Sequence, residues 1–356
     1  MKKYRWVVLA LVPALLTLLA ALWAGLLRMG WRWPVVQRGW VAEHGVLMIP
    51  VFFGGLISLE RAVALRRRWA WLAPLLHGAA GLVLVLGGRA LWAIPLLLGG
   101  AMIFVAMFVV IVRQHWAAYT VLMALAVSFL AIGDGLWGLL GWPVYRVVFW
   151  WVAFLVLTIA AERLELGRLQ RLSRGAQAAF WGATALVVVG LAAPAAGVRL
   201  IGAGFVALAL WLLRYDVSRK TVRLKGLPRF AALCLLSGYI WLAVGGLWML
   251  AQGAQAAGLA YDGMLHAVLV GFVFSMIFGH APIIFPSMLG RLAVFHRRLY
   301  VPLWGLHASL ALRLLGDAFR LPALRRWGGL LGALFIVLFL VLMAVTFREG
   351  ISWGET

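Results

Sequence analysis

Cysteine is almost missing from this chain: Cys234, inside an apolar run, is the only one in 356 residues. That excludes a disulfide framework and a cysteine metal cluster. With no C-x-x-C-H, it also excludes covalent attachment of a c-type haem. Acidic residues are scarce as well, ten Asp and Glu against 32 Lys and Arg, and only 12% of residues are charged. A soluble domain needs a charged surface, and this chain has little to make one. Lysine is confined to Lys2, Lys3, Lys220 and Lys225, an arginine bias of the kind a GC-rich bacterial genome produces. The net charge of +22 raises the question of nucleic acid. The cations form no single patch, however, but fall between apolar runs, so no nucleic-acid partner is expected.

What the chain has in excess is apolar length. Sixty-five per cent of residues are hydrophobic and the mean hydropathy is +1.03. Runs of about 20 apolar residues, enough to cross roughly 30 Å of hydrocarbon, recur from end to end. They give spans at 6–27, 44–65, 70–88, 91–112, 117–140, 144–162, 177–195, 198–213, 229–251, 262–285, 300–317 and 324–347. The basic start imitates a signal peptide, but its apolar stretch is too long and lacks a small-x-small cleavage site, so it is read as the first span. The eighth run is short, which leaves a broken helix open there. With the N-terminus inside, 22 Lys and Arg fall on the cytoplasmic side, nine fall outside (Arg89 among them) and Arg313 lies within a span. Arg171 and Arg291 belong to the inner set. This asymmetry supports an even number of spans. The expectation is an all-α polytopic helical bundle forming one transmembrane domain over 1–356, with about twelve helices and both termini cytoplasmic. Its place is a bacterial inner membrane and its bulk partner the lipid bilayer.

Five of seven histidines fall in these spans, where polar side chains are costly and mark candidate sites. His115 and His296 are in loops. His266 and His280 are 14 residues apart in the tenth span, about 21 Å along a helix and roughly 40° apart around it. Val270, Val273 and Ile277 stand between them, and Gly271, Ser275 and Gly279 form a small-residue stripe on the other face. Pro282 and Pro286 should break the ladder just beyond. By depth, His44 and His266 form an outer layer and His77, His280 and His307 an inner one. Two neutral imidazoles from facing helices are the usual axial pair of a low-spin b-type haem. Asp262, one turn before His266, could accept the ring's second N–H. Three imidazoles would suit copper or another metal. The bland alternative is that all five bond backbone carbonyls or hydroxyls and bind nothing.

Other intramembrane polar groups have similar pairs of readings. Glu60-Arg61 and Glu162-Arg163 read as interfacial caps or ion pairs between helices, or as an inner proton route. Asp134 could pair with Arg146 or act as a relay. Arg313 and Asp317, at i and i+4, read as a local pair. Arg313, Arg325 and Arg326 could instead meet a cofactor's carboxylates. The 20 tryptophans mostly sit near span ends, as an interfacial belt requires.

Glu43-His44-Gly45-Val-Leu-Met48 resembles the opening of the second helix in the haem–copper oxidase subunit I superfamily, which also has twelve core helices. The resemblance implies haem ligation by His44 and His266 and contact of Arg325-Arg326 with propionates. Span 6 lacks that superfamily's copper-binding histidine and span 7 its histidine pair, so a respiratory oxidase is not expected. The segment from His266 to His280-Ala-Pro is more similar to the NnrS-like proteins, haem- and copper-containing membrane proteins linked to nitric oxide and denitrification. This implies haem b, a second metal such as copper, nitric oxide or another gas as ligand, a redox partner, and an oxidoreductase-like role. A haem-free transporter of protons or small molecules, using Asp134, Glu60 and the histidines, is the alternative.

Overall fold

A computed structural model describes residues 2–88, 90–169, 172–193, 196–289 and 295–352, so Arg89, Arg171 and Arg291 of the charge count lie outside the described residues. Among these residues there is no strand. Twelve long helical segments follow one another: α1 (Lys2–Arg28), α2 (38–65), α3 (Arg68–Val85), α4 (Ala90–Gln114), α5 (Ala118–Gly138), α6 (Val144–Leu166), α7 (Arg174–Ala192), α8 (Gly197–Tyr215), α9 (Leu227–Gln252), α10 (Leu259–Met288), α11 (Tyr300–Ala318) and α12 (Pro322–Ser352). Each coincides with one apolar run of the sequence. Helix is the form that satisfies every backbone group within one segment, as hydrocarbon demands.

Eleven of the twelve are long and apolar enough to cross a membrane; α11 is not among them. At 19 residues α11 has the length, but His307, Arg313 and Asp317 dilute its hydropathy. The chain is a multi-pass membrane protein of all-α architecture. The eighth segment, α8, is one unbroken helix, so the broken-helix alternative there does not hold. The expected break at Pro282 and Pro286 is also absent: α-helix continues through both to Met288.

Irregularity lies elsewhere. In α2 the backbone widens into a π-helical stretch over Leu47–Phe53, around Pro50, and the Gly54 N–H returns five residues to the Ile49 carbonyl. Proline has no N–H to give, and a wider turn absorbs the missing bond. The second π stretch, Ala267–Phe274 in α10, holds no proline.

The helices pack as two compact units, Met1–Glu162 and Arg163–Thr356, with the division in the last turns of α6. In the first unit α1 packs on α2 and α3, α3 on α4, and α4 on α5. α6 joins them through Phe154 edge-on to Phe104 and Trp150 edge-on to Phe129. In the second unit α7 packs on α8, α8 and α10 on α9, and α11 on α12. Glycine sets the closest crossings, since an ideal Cβ at Gly316 would stand 2.4 Å from the Arg325 nitrogen, and one at Gly328 2.5 Å from that of Arg313. The expected small-residue stripe of α10 works the same way. Gly271 receives Trp241 of α9, and Gly279 receives Cys234 and Ala231.

Candidate cofactor site

His44 and His266 each stand about two turns inside a helix, and each is followed within three residues by a π stretch. For His44 this corrects the expected position at the very start of its span, because α2 begins at residue 38. Single π turns inside α-helices recur at functional positions, where they re-aim side chains. No other described helix carries one.

In the first unit, His44 Nδ1 is 2.8 Å from the Ala21 carbonyl of α1. A carbonyl only accepts, so the ring proton is on Nδ1 and the lone pair on Nε2. The ring lies on Gly25, where a Cβ would come within 3.0 Å of Cε1. The helix α1 thus supplies both the acceptor and the gap that seats the imidazole.

In the second unit, His266 Nδ1 is 2.8 Å from the Asp262 backbone carbonyl, while the Asp262 carboxylate Oδ1 is farther, at 3.4 Å. The expected acceptor was the carboxylate; the carbonyl of the same residue holds the proton instead. The carboxylate is turned toward two cations. Arg313 of α11 reaches its Oδ2 at 2.6 Å and Arg325 of α12 at 3.1 Å, and Arg325 Nε also stands 2.8 Å from Asp317. Asp262 therefore joins α10, α11 and α12. This corrects the local reading of Arg313 with Asp317, since the guanidinium crosses to α10. Arg326, the next residue of α12, is half-buried.

The inner histidines differ in kind. His77 is fully buried in the first unit, with Nδ1 2.8 Å from the Ala73 carbonyl. Glycines clamp it from two sides: Cβ atoms at Gly54 and Gly100 would stand 3.1 and 2.6 Å from its ring. In the second unit, His280 Nδ1 is 2.6 Å from the Met276 carbonyl, and its Nε2 accepts from Arg163 at 2.8 Å. At His307 the Trp241 indole N–H donates to Nδ1 at 2.9 Å, and Nε2 is 3.2 Å from Ser275 Oγ. Its proton is thus on Nε2, the opposite tautomer. Both ring nitrogens of His280 and of His307 are used in hydrogen bonds. Among the described residues no group of three or more His, Cys, Asp and Glu could hold a metal. Within the second unit, the ring nitrogens of His280 and His307 are committed to hydrogen bonds rather than turned to a metal.

The remaining polar pairs resolve within the first unit. Arg61 of α2 pairs with Glu162 of α6 and stands 3.8 Å from Glu60, an ion pair between helices. Asp134 pairs with the Trp151 indole rather than with Arg146, which is exposed and lies over the Tyr145 ring. Gly25 and Trp241 were not singled out by sequence reasoning, and Arg163 reads in the sequence as an interfacial cap or ion-pair residue rather than as the partner of His280. Nothing in a lone glycine, tryptophan or arginine of an apolar helix announces a histidine on a neighbouring one.

No curated protein matches the chain. A family model described as a domain of unknown function, DUF8744, matches residues 5–348. With nearly its whole length matched, the chain belongs to the DUF8744 family.

Proposed function

We propose that the protein is a haem-b-binding membrane protein with His44 and His266 as its axial imidazoles, active in redox metabolism of the nitric oxide or respiratory kind. The observation that carries this reading is a shared local design. Both histidines give their Nδ1 proton to a backbone carbonyl at 2.8 Å, and both stand just ahead of a π stretch. A neutral imidazole with its second N–H fixed in this way is the form that ligates iron, with ring orientation set in advance. His77 and His280 also give Nδ1 to a carbonyl but stand ahead of no π stretch, and His307 has neither feature. When bound, a haem held by two imidazoles supplies one-electron exchange.

The chain's own residues have separable tasks in this reading. His44 is oriented by Ala21 and Gly25, and His266 by Asp262. Arg313 and Arg325 neutralise Asp262 and hold its helix, and Arg326 stands beside them as the proposed contact of a cofactor carboxylate. The proposed orientation is both termini cytoplasmic in a bacterial inner membrane, which follows from the 22 to nine division of basic residues. A docking site for a redox partner belongs to the same reading.

The test is the visible spectrum of protein purified after expression with ample haem. A Soret band with a haemochrome of the b type is expected, at close to one haem per chain. A colourless protein of normal helicity would instead favour the haem-free transporter.

A further inference from the structure

Asp134 has no role in the site above, yet it is one of the most deeply buried polar groups of the first unit. It lies on α5, one turn from the helix end at Gly138, and is 1% exposed. The Trp151 indole N–H of α6 donates to its Oδ1 at 3.0 Å. The contact is built in: a Cβ at Gly133 would stand 2.5 Å from Trp151 Nε1, so glycine alone lets the indole lie across α5. Its other oxygen, Oδ2, is buried with no hydrogen-bond partner among the described residues.

Among the described residues, no cation answers the carboxyl from the elements around it. On α6, Tyr145 carries Arg146 over its ring at 5.9 Å, and Glu162 begins the next charged group eleven residues beyond Trp151, about 16 Å along the helix. On α4 the neighbour at this level is Ile94, packed on Gly138; Arg113 is nineteen residues on, roughly 28 Å away. On α5 itself Tyr119 is fifteen residues back, about 22 Å. α2 approaches through Gly54, which Leu130 of α5 and His77 of α3 both touch, and its Arg61 is taken by Glu162. A buried carboxylate facing one indole N–H and no positive charge is strongly disfavoured in an apolar medium; the acid form removes the charge.

We infer that Asp134 is a proton-binding site inside the first unit, with the bound proton on Oδ2 and Trp151 as the donor that steadies the ionised form. The ligand is a proton exchanged with water at the nearby end of α5, about 6 Å from the carboxyl along the helix. Release leaves a carboxylate whose Oδ1 keeps the indole hydrogen bond, so the same residue serves both states without a change of partner. Nothing in this depends on a haem.

Infrared spectra of the purified protein at neutral pH, in water and in D2O, test it. A protonated-carboxyl C=O band that shifts in D2O is expected, lost in Asp134→Asn and moved in frequency in Trp151→Phe. Alkaline titration should convert the band to carboxylate absorption. Circular dichroism shows whether each variant keeps its helicity; if Asp134→Asn does not, Trp151→Phe decides alone. A C=O region unchanged in both variants, or the absence of any protonated-carboxyl band from the parent protein, would overturn the inference.

Discussion

At His307 an indole N–H holds the ring proton on Nε2, while at His44 and His266 a carbonyl holds it on Nδ1. His77 and His280 share the Nδ1–H tautomer, so what sets His44 and His266 apart is the π stretch that follows each. Replacing His307 by Ala leaves the Trp241 N–H unpaired beside a cavity and should cost roughly 2 kcal/mol in thermal or denaturant unfolding. It should leave any haem spectrum unchanged, and a loss of the Soret band in this variant would contradict the assignment. Gly25→Val acts oppositely. Its side chain occupies the seat of the His44 ring, so the low-spin fraction should fall while helicity persists. Asp262→Asn removes the charge that Arg313 and Arg325 share, an expected loss of about 3 kcal/mol. The His266 carbonyl acceptor survives that change, so ligation should weaken less than stability.

Helices supply what the histidines cannot. The small residues of α10 meet α9 so closely that a Cβ at Gly271 would stand 2.4 Å from Trp241 Cγ. Gly271→Ala should therefore destabilise by about 1–3 kcal/mol through overpacking, measured as a lowered unfolding midpoint. Gly135→Ala, with nothing within 4 Å of the added carbon, is the control and should be near neutral. The stripe was legible in the sequence because Gly271, Ser275 and Gly279 repeat at helical spacing. The π stretches were not. Pro50 and Pro282 look alike as residues, yet the backbone widens at the first and stays α-helical through the second, a choice made by packing. The carboxylate partners were also illegible, since Arg313 to Asp262 and Arg61 to Glu162 join helices far apart in sequence. Hydropathy speaks of length and depth, and not of which helix lies beside which.

At the scale of the molecule, the described residues form twelve long helical segments that follow the apolar runs, and α11 is the one whose polar residues make it less apolar than a typical span. Its charges have a use, since Arg313 ties it to α10, and a helix shielded by neighbours tolerates polar groups that lipid would not. Reporter fusions at Met1 and Thr356 should both read cytoplasmic, and one placed between α11 and α12, near Arg320, should read periplasmic. A cytoplasmic signal at Arg320 would mean that α11 does not cross. The division into two packed units, with α6 leaving one and joining the other, had no counterpart in the sequence, which shows neither a repeat nor a linker.

The central claim is ligation by two particular imidazoles, and electron paramagnetic resonance of the ferric protein addresses it most directly. The account predicts a low-spin bis-imidazole signal in the parent and in His115→Ala. That signal should be lost or converted to high spin in His44→Ala and, separately, in His266→Ala. A low-spin signal that survives either of those two substitutions would contradict it.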